Sequence, residues 1–157
     1  MAEFVEVVFE KAAEKRIFQL LTLLINNSGQ VMDWECSENI ILFEEGRLSE
    51  AALNKIFDFG GDIGLSINVH SMRLDRVILP EVMIRLVKYG NEYDVEFSFD
   101  RDGVESFAPL IADLHAFAME VGANFDMAAY YAGMEPASDE ETRYFTNNEL
   151  GPLKALG

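Results

Sequence analysis

Two stretches of alternating apolar and polar residues, Glu81–Tyr89 and Tyr93–Asp100, predict a β-hairpin. Gly90 and Asn91 lie between them, and glycine at the first central position favours a type II′ turn, because that position requires a positive φ. This turn places apolar residues opposite one another on one face: Leu86 with Val95, Ile84 with Phe97, and Val82 with Phe99. The other face pairs Val87 with Asp94, Arg85 with Glu96, and Met83 with Ser98. A shift by one residue would bury Glu96 and Ser98, so the register is well specified.

The residues after the hairpin predict a long helix. Ser106 is the expected N-cap, Pro109 lies in the first turn, and Gly122 is the expected end. One apolar stripe recurs at helical spacing: Phe107, Leu110, Ile111, Leu114, Phe117, Ala118 and Val121. Such a stripe must cover an apolar sheet face, and we expect it to cover the Val82, Ile84 and Leu86 side of the hairpin.

The rest of the chain adds strands and helices on both sides of this unit. We predict strands at Phe4–Phe9, Val31–Cys36 (with Met32, Trp34 and Cys36 inward), Ile40–Phe43, Asp62–His70 and Asn124–Ala132. We predict helices at Lys11–Asn26, from Ser49 to Phe59, and from Ser138 through Phe145. Phe4–Phe9 could instead merge into the following helix, and Ser71–Leu79 is either an irregular connection or an edge strand.

This order predicts an α+β fold, with a mainly antiparallel, twisted sheet and helices packed on one face. We expect residues 1–157 to form a single domain, in which 147–157 is a possible loose C-terminal tail.

Charge narrows the choice of partner. The chain of 157 residues carries 28 acidic and 12 basic side chains, a net charge of −16. Such a charge repels nucleic acids and anionic membranes, and it favours a basic protein. The alternative is that the excess acid only keeps a cytoplasmic protein soluble. The one cysteine fits a reducing compartment, so we expect a cytoplasmic location.

The sequence lacks a recognisable catalytic constellation, so we predict that the protein is not an enzyme and takes no cofactor or metal. Cys36 is expected to be a buried structural thiol. The acids near Gly103 are explained by the dipole of the following helix. Ser66, Asn68 and His70 share one face of a strand and are the only trio that could line a catalytic or ligand pocket.

The size, the charge and the lack of catalytic motifs are similar to those of small bacterial proteins that neutralise a toxin (immunity-type proteins) or chaperone a secreted effector. This likeness implies a non-enzymatic protein-binding module with a basic partner. Its expected acidic contacts are Asp94, Glu96, Asp100, Asp102, Asp139, Glu140 and Glu141. Its expected exposed aromatic anchors are Tyr89, Tyr93 and Tyr144.

Two alternatives remain open from the sequence. One is a small enzyme or small-ligand-binding domain with a pocket assembled around His70. The other is a structural homodimer that pairs sheet edges, with Ser71–Leu79 as the candidate edge.

Overall fold

The computed structural model describes residues 3–104 and 107–153. Its strands are β1 (Phe4–Glu10), β2 (Gln30–Cys36), β3 (Phe43–Glu44), β4 (Arg47–Leu48), β5 (Ile63–Arg73), β6 (Ile78–Tyr89), β7 (Glu92–Asp100), β8 (Ala129–Met134), β9 (Arg143–Thr146) and β10 (Glu149–Leu150). Its α-helices are α1 (Glu14–Asn26), α2 (Glu50–Asp58) and α3 (Phe107–Asn124).

One eight-stranded sheet dominates the fold, in the order β10-β9-β8-β1-β7-β6-β5-β2. Every neighbouring pair is antiparallel. The N-terminal strand β1 lies in the interior, between β7 and β8. The predicted α+β class with a mainly antiparallel sheet is therefore confirmed.

The predicted hairpin is β6–β7, and its register is confirmed. Ile84 pairs with Phe97, Leu86 with Val95, and Arg85 with Glu96. Gly90 has a φ of +60°, and Asn91 is not among the residues with positive φ, which fits the predicted turn.

The helices cover one face of the sheet, as predicted. The buried core joins alternate residues of β1, β5, β6 and β7 to the apolar stripes of the helices. The opposite face, which we call the open face, carries the intervening, mostly polar residues. The stripe of α3 is confirmed, but Gly122 does not end this helix, which continues to Asn124. A Cβ at Gly122 would collide with the Tyr130 ring, so this glycine permits a close contact between α3 and β8. The expected N-cap, Ser106, lies outside the described residues.

Two predictions near β2 are wrong. The strand contains a β-bulge between Val31 and Asp33, so Met32 does not join Trp34 and Cys36 on the inward face and is 46% exposed. Ile40–Phe43 is not a buried strand either. Ile41 is 67% exposed, and pairing begins only at Phe43 in a two-stranded ribbon.

Two further predictions fail in the second half of the chain. Ser71–Leu79 is not a sheet edge. It contains the end of β5 and the start of β6, which pair with each other, and the edges of the described sheet are β2 and β10. The homodimer itself stays a prediction. The helix from Ser138 is a single 3₁₀ turn at Glu140–Thr142, followed by strand β9. Beyond β9, the backbone amide of Gly151 donates to the carbonyl of Tyr144, and the backbone amide of Leu153 donates to the carbonyl of Arg143.

Candidate functional site

Carboxylates of neighbouring strands meet on the open face. Glu96 of β7 lies between Arg85 of β6 and Val8 of β1. Glu6 lies one row further along β1, opposite Ser98. We call the following group the acidic patch: Glu6, Glu10, Asp94, Glu96 and Glu135.

The pKa values of three of these carboxyls are raised. Partial burial is the largest cause for Glu6, Asp94 and Glu96 alike. Mutual repulsion adds to it, because Glu135 raises the pKa of both Glu6 and Glu96, while Glu10 raises that of Asp94. The free protein therefore holds partly desolvated negative charge on this face, which a cationic partner would stabilise.

Arg85 only partly compensates for this charge. Its guanidinium lies 2.8 Å from the Glu96 carboxylate, and it lowers the pKa of both Glu96 and Glu6. For both carboxyls the effect of burial is larger, so the pKa stays above its ordinary value. One arginine against five acids leaves the patch strongly negative.

Asp94 forms the end of the acidic patch nearest the hairpin turn, where it contacts Tyr89. The Tyr89 hydroxyl donates a hydrogen bond of 2.9 Å to Asp94, which also accepts one of 3.0 Å from the backbone amide of Lys11. Burial and the neighbouring carboxylate together raise the pKa of Tyr89. Because Tyr89 is 36% exposed, its ring is available to a partner.

Tyr131 and Arg143 flank the patch on the β8 side. Burial and the nearby Glu10 carboxylate raise the pKa of Tyr131, and the Arg143 guanidinium lies over the Tyr131 ring at 3.8 Å. Arg143 also donates to the carbonyls of Ala137 and Ser138. It thereby fixes the loop between β8 and β9 against the open face.

The expected exposure of two aromatic anchors is wrong. Tyr93 is 5% exposed, because it lies on the helix-covered face, where its hydroxyl donates to Glu14 and its ring meets Phe57 edge to face. Burial and the Glu14 carboxylate raise the pKa of Tyr93 to about 12. Tyr144 is 3% exposed and packs on Phe107.

The remaining predicted acids are not members of the patch. Asp100 ends β7 and accepts a hydrogen bond from the amide of Asp102. Asp139 does the same for Glu141 at the start of its 3₁₀ turn, where Glu140 is also exposed. These hydrogen bonds are local, and each is explained by turn formation alone.

Ser66, Asn68 and His70 do not converge on a pocket beneath the helices. All three lie on the open face, and each has a different neighbour. Asn68 donates to Asp33, His70 lies 3.5 Å from Glu81, and Ser66 pairs in register with Arg85. This geometry gives no nucleophile and base in hydrogen-bond contact, so it does not support catalysis by this trio. Asn68 and His70 line an open depression on this face, so a ligand pocket around His70 stays a prediction.

Glu6, Glu10 and Glu135 are members of the patch that the sequence did not predict. The alternation along β1 indicates that Glu6 points away from the core. The sequence does not reveal that β1 lies beside β7, which is the pairing that brings Glu6 next to Glu96.

Within residues 3–104 and 107–153, no helix is long and apolar enough to cross a membrane.

Comparison with known proteins identifies the family. A chain in a crystal structure of the toxic C-terminal tip of CdiA from Pseudomonas aeruginosa in complex with immune protein is 32% identical to this chain, with a TM-score of 0.88. The alignment covers 98% of this chain and 99% of that one. No curated protein sequence matches. The family model described as PABL017 Cdi1I immunity protein matches residues 3–150. The chain therefore belongs to this immunity protein family and is an immunity-type, protein-binding protein rather than an enzyme.

Proposed function

We propose that this chain neutralises a toxin by binding the toxin's C-terminal tip with the open face of its sheet, centred on the acidic patch. The observation that carries this proposal is the meeting of carboxylates from β1 and β7 on the open face, where burial and neighbouring carboxylates raise the pKa values of Glu6 and Glu96. A cationic surface placed against them would relieve that repulsion. The solved relative comes from a complex of a toxic C-terminal tip with immune protein, which supports a partner of this class.

Net charge supports the same proposal through kinetics. A protein with a net charge of −16 attracts a basic partner over distances comparable with the Debye length. The association rate should therefore fall as salt is added, while the dissociation rate depends more on the packing of the contact. We propose that the encounter takes place in the cytoplasm, where the single cysteine would stay reduced.

Capture of the partner is the first experiment. The immobilised chain is exposed to lysate of the source organism at low salt, washed, and eluted at high salt. We expect mass spectrometry to identify a basic protein carrying a CdiA-type C-terminal toxin tip. The purified tip then serves as the ligand for quantitative binding.

Substitution of the patch locates the contact. We expect the pair Asp94→Lys and Glu96→Lys to weaken binding of the tip by at least about 100-fold, since a buried interfacial charge pair is worth about 2–5 kcal/mol. The matched control is Glu50→Lys with Glu120→Lys, the same change in charge on exposed residues of α2 and α3. If the control pair weakens binding as much, net charge and not the patch is responsible. The neutral pair Asp94→Asn and Glu96→Gln repeats the test if the reversed pair does not fold.

A further inference from the structure

Three large apolar side chains are exposed side by side on the open face. Phe4 is 42% exposed, Met32 is 46% exposed, and Met83 is 37% exposed. They line one depression of about 430 Å³. Asp33, Glu81 and Asp100 are among its other lining residues. Strand alternation predicts Met83 on this face, and Phe4 and Met32 extend it to an apolar floor with an acidic margin.

Two features of the sheet create this depression. The β-bulge in β2 gives one extra residue between Val31 and Asp33, so Met32 and Asp33 both reach the depression from adjacent positions. The insertion of β1 beside β7 then places Phe4 opposite Asp100. Bulges commonly redirect side chains at binding sites, and here the bulge adds an apolar residue to the floor of the depression.

The depression is continuous with the acidic patch. Ser98 lines the depression and pairs with Met83 on one side and Glu6 on the other. Glu96 lies two residues from Ser98 on the same face of β7, so apolar and acidic surfaces adjoin without a break. A ligand that covers the patch would therefore meet the apolar floor as well.

The chemistry of the lining selects the ligand. Flexible methionine side chains adapt to the shape of an inserted apolar group, and an aromatic ring adds contact area. Carboxylates at the margin favour Lys or Arg beside that group and disfavour Asp or Glu. His70 also lines this depression, and its Nε2 atom lies 3.5 Å from the Glu81 carboxylate.

We propose that this depression determines specificity, by accepting an apolar side chain that projects from a basic segment of the toxin tip. The inference rests on the proposed function, because it adds an anchor to the same face. Charge on the acidic patch speeds association with the partner, and the apolar anchor slows its dissociation.

The pair Met32→Ala and Met83→Ala tests the anchor. Both side chains are exposed, so the fold should persist. We expect the affinity for the captured tip to fall at least tenfold, with most of the change in the dissociation rate and an unaltered salt dependence of association. The control is Met119→Ala, which removes a methionine of similar exposure (40%) from α3. An affinity within twofold of the wild type for the pair would overturn the proposal.

The two proposals fail separately. If the Asp94→Asn and Glu96→Gln pair weakens binding but the methionine pair does not, the acidic patch binds the tip and the apolar anchor is wrong. If only the methionine pair weakens binding, the anchor stands and the acidic patch is not the contact.

A photo-crosslinker identifies the inserted group directly. With benzoylphenylalanine in place of Met83, irradiation of the complex should link one peptide of the tip, with an apolar residue flanked by Lys or Arg. A crosslinked peptide rich in Asp or Glu, or no crosslink, would overturn the proposed ligand chemistry. Benzoylphenylalanine at Met119 serves as the control and should give no crosslink.

Discussion

Nζ of Lys88 lies 2.7 Å from the carbonyl oxygen of Phe57, in the last turn of α2. The same Nζ also donates to the carbonyl of Phe59. Lys88 is 5% exposed and belongs to the helix-covered face of β6, where it continues the apolar series of Ile84 and Leu86. Carbonyls at a helix C-terminus have no partner within the helix, so this side chain satisfies groups that would otherwise be buried without hydrogen bonds.

We expect Lys88→Met to destabilise the fold by about 1–3 kcal/mol, because it preserves the length of the side chain but leaves the carbonyls without a donor. Urea unfolding followed by circular dichroism measures the loss. The control is Lys55→Met on the same helix, whose side chain is exposed and whose replacement should change the unfolding free energy very little. Equal stability of Lys88→Met and wild type would show that these hydrogen bonds contribute nothing.

Gly122→Ala should also destabilise the protein, against the intrinsic preference of helices. Alanine normally stabilises an exposed helical position by about 1 kcal/mol relative to glycine. Here the new Cβ would lie 2.9 Å from Cδ1 of Tyr130, so the ring must move or α3 and β8 must separate, at a cost of about 1–3 kcal/mol. Gly60→Ala, in the bend after α2, is a control for the removal of a glycine, because nothing lies within 4 Å of its Cβ. A stabilised Gly122→Ala variant would show that the ring moves aside freely.

Glu96→Gln should make the free protein more stable while it weakens toxin binding. Burial holds the pKa of Glu96 above its ordinary value of 4.5, which means that the folded state disfavours the ionised form. A neutral glutamine of the same shape avoids that cost. Thermal unfolding of the free chain and affinity for the captured tip should therefore move in opposite directions.

The gain in stability should depend on pH. Because the folded-state pKa of Glu96 is raised, the wild type recovers stability as pH falls through that pKa, and the recovery is complete below the ordinary value of 4.5. Glutamine does not titrate. The difference in unfolding free energy between Glu96→Gln and the wild type should be largest at neutral pH and should shrink on acidification. A difference that does not vary with pH would show that Glu96 is not destabilised by its charge.

Arg143→Lys tests the support of the loop between β8 and β9. Lysine keeps the charge but loses the planar group that lies over Tyr131, and it cannot reproduce the 2.8 Å hydrogen bond from Nε to Ala137. We expect about tenfold faster hydrogen exchange at the amides of Asp139 and Thr142, which corresponds to about 1.4 kcal/mol. Amides of the β6–β7 hairpin provide the internal reference and should keep their rates.

Local patterns predict much of this fold. The hairpin register follows from the positions of Gly90 and Glu96, because a turn and its flanking residues are close in sequence. The apolar stripe of α3 is equally local. The prediction of an immunity-type binding protein is confirmed, but it came from size and charge and not from any residue of the site.

Long-range pairing explains what could not be predicted. Glu6 and Glu96 are neighbours only because β1 enters the sheet beside β7, and no local sequence pattern predicts that pairing. The β-bulge at Met32 could not be predicted from the sequence for the same reason, since a bulge is defined by the pairing with the opposite strand, here β5. Tyr144 is buried because it lies in strand β9. The sequence predicts a helix there instead, but Asp139 caps only a single 3₁₀ turn.

The interior position of β1 also affects when the proposed toxin-binding surface can form. Val7 must pair with Phe97 on one side and with Ala132 on the other, so the ribosome has to release most of the chain before either neighbour is available. Contacts of such large separation in sequence form late and slowly. During synthesis, β1 therefore remains without both partners while the β5–β6–β7 meander can already assemble. Glu6, Glu96 and Glu135 come together only after β8 has joined, so a nascent chain or one truncated before β8 would lack the surface proposed to neutralise the toxin.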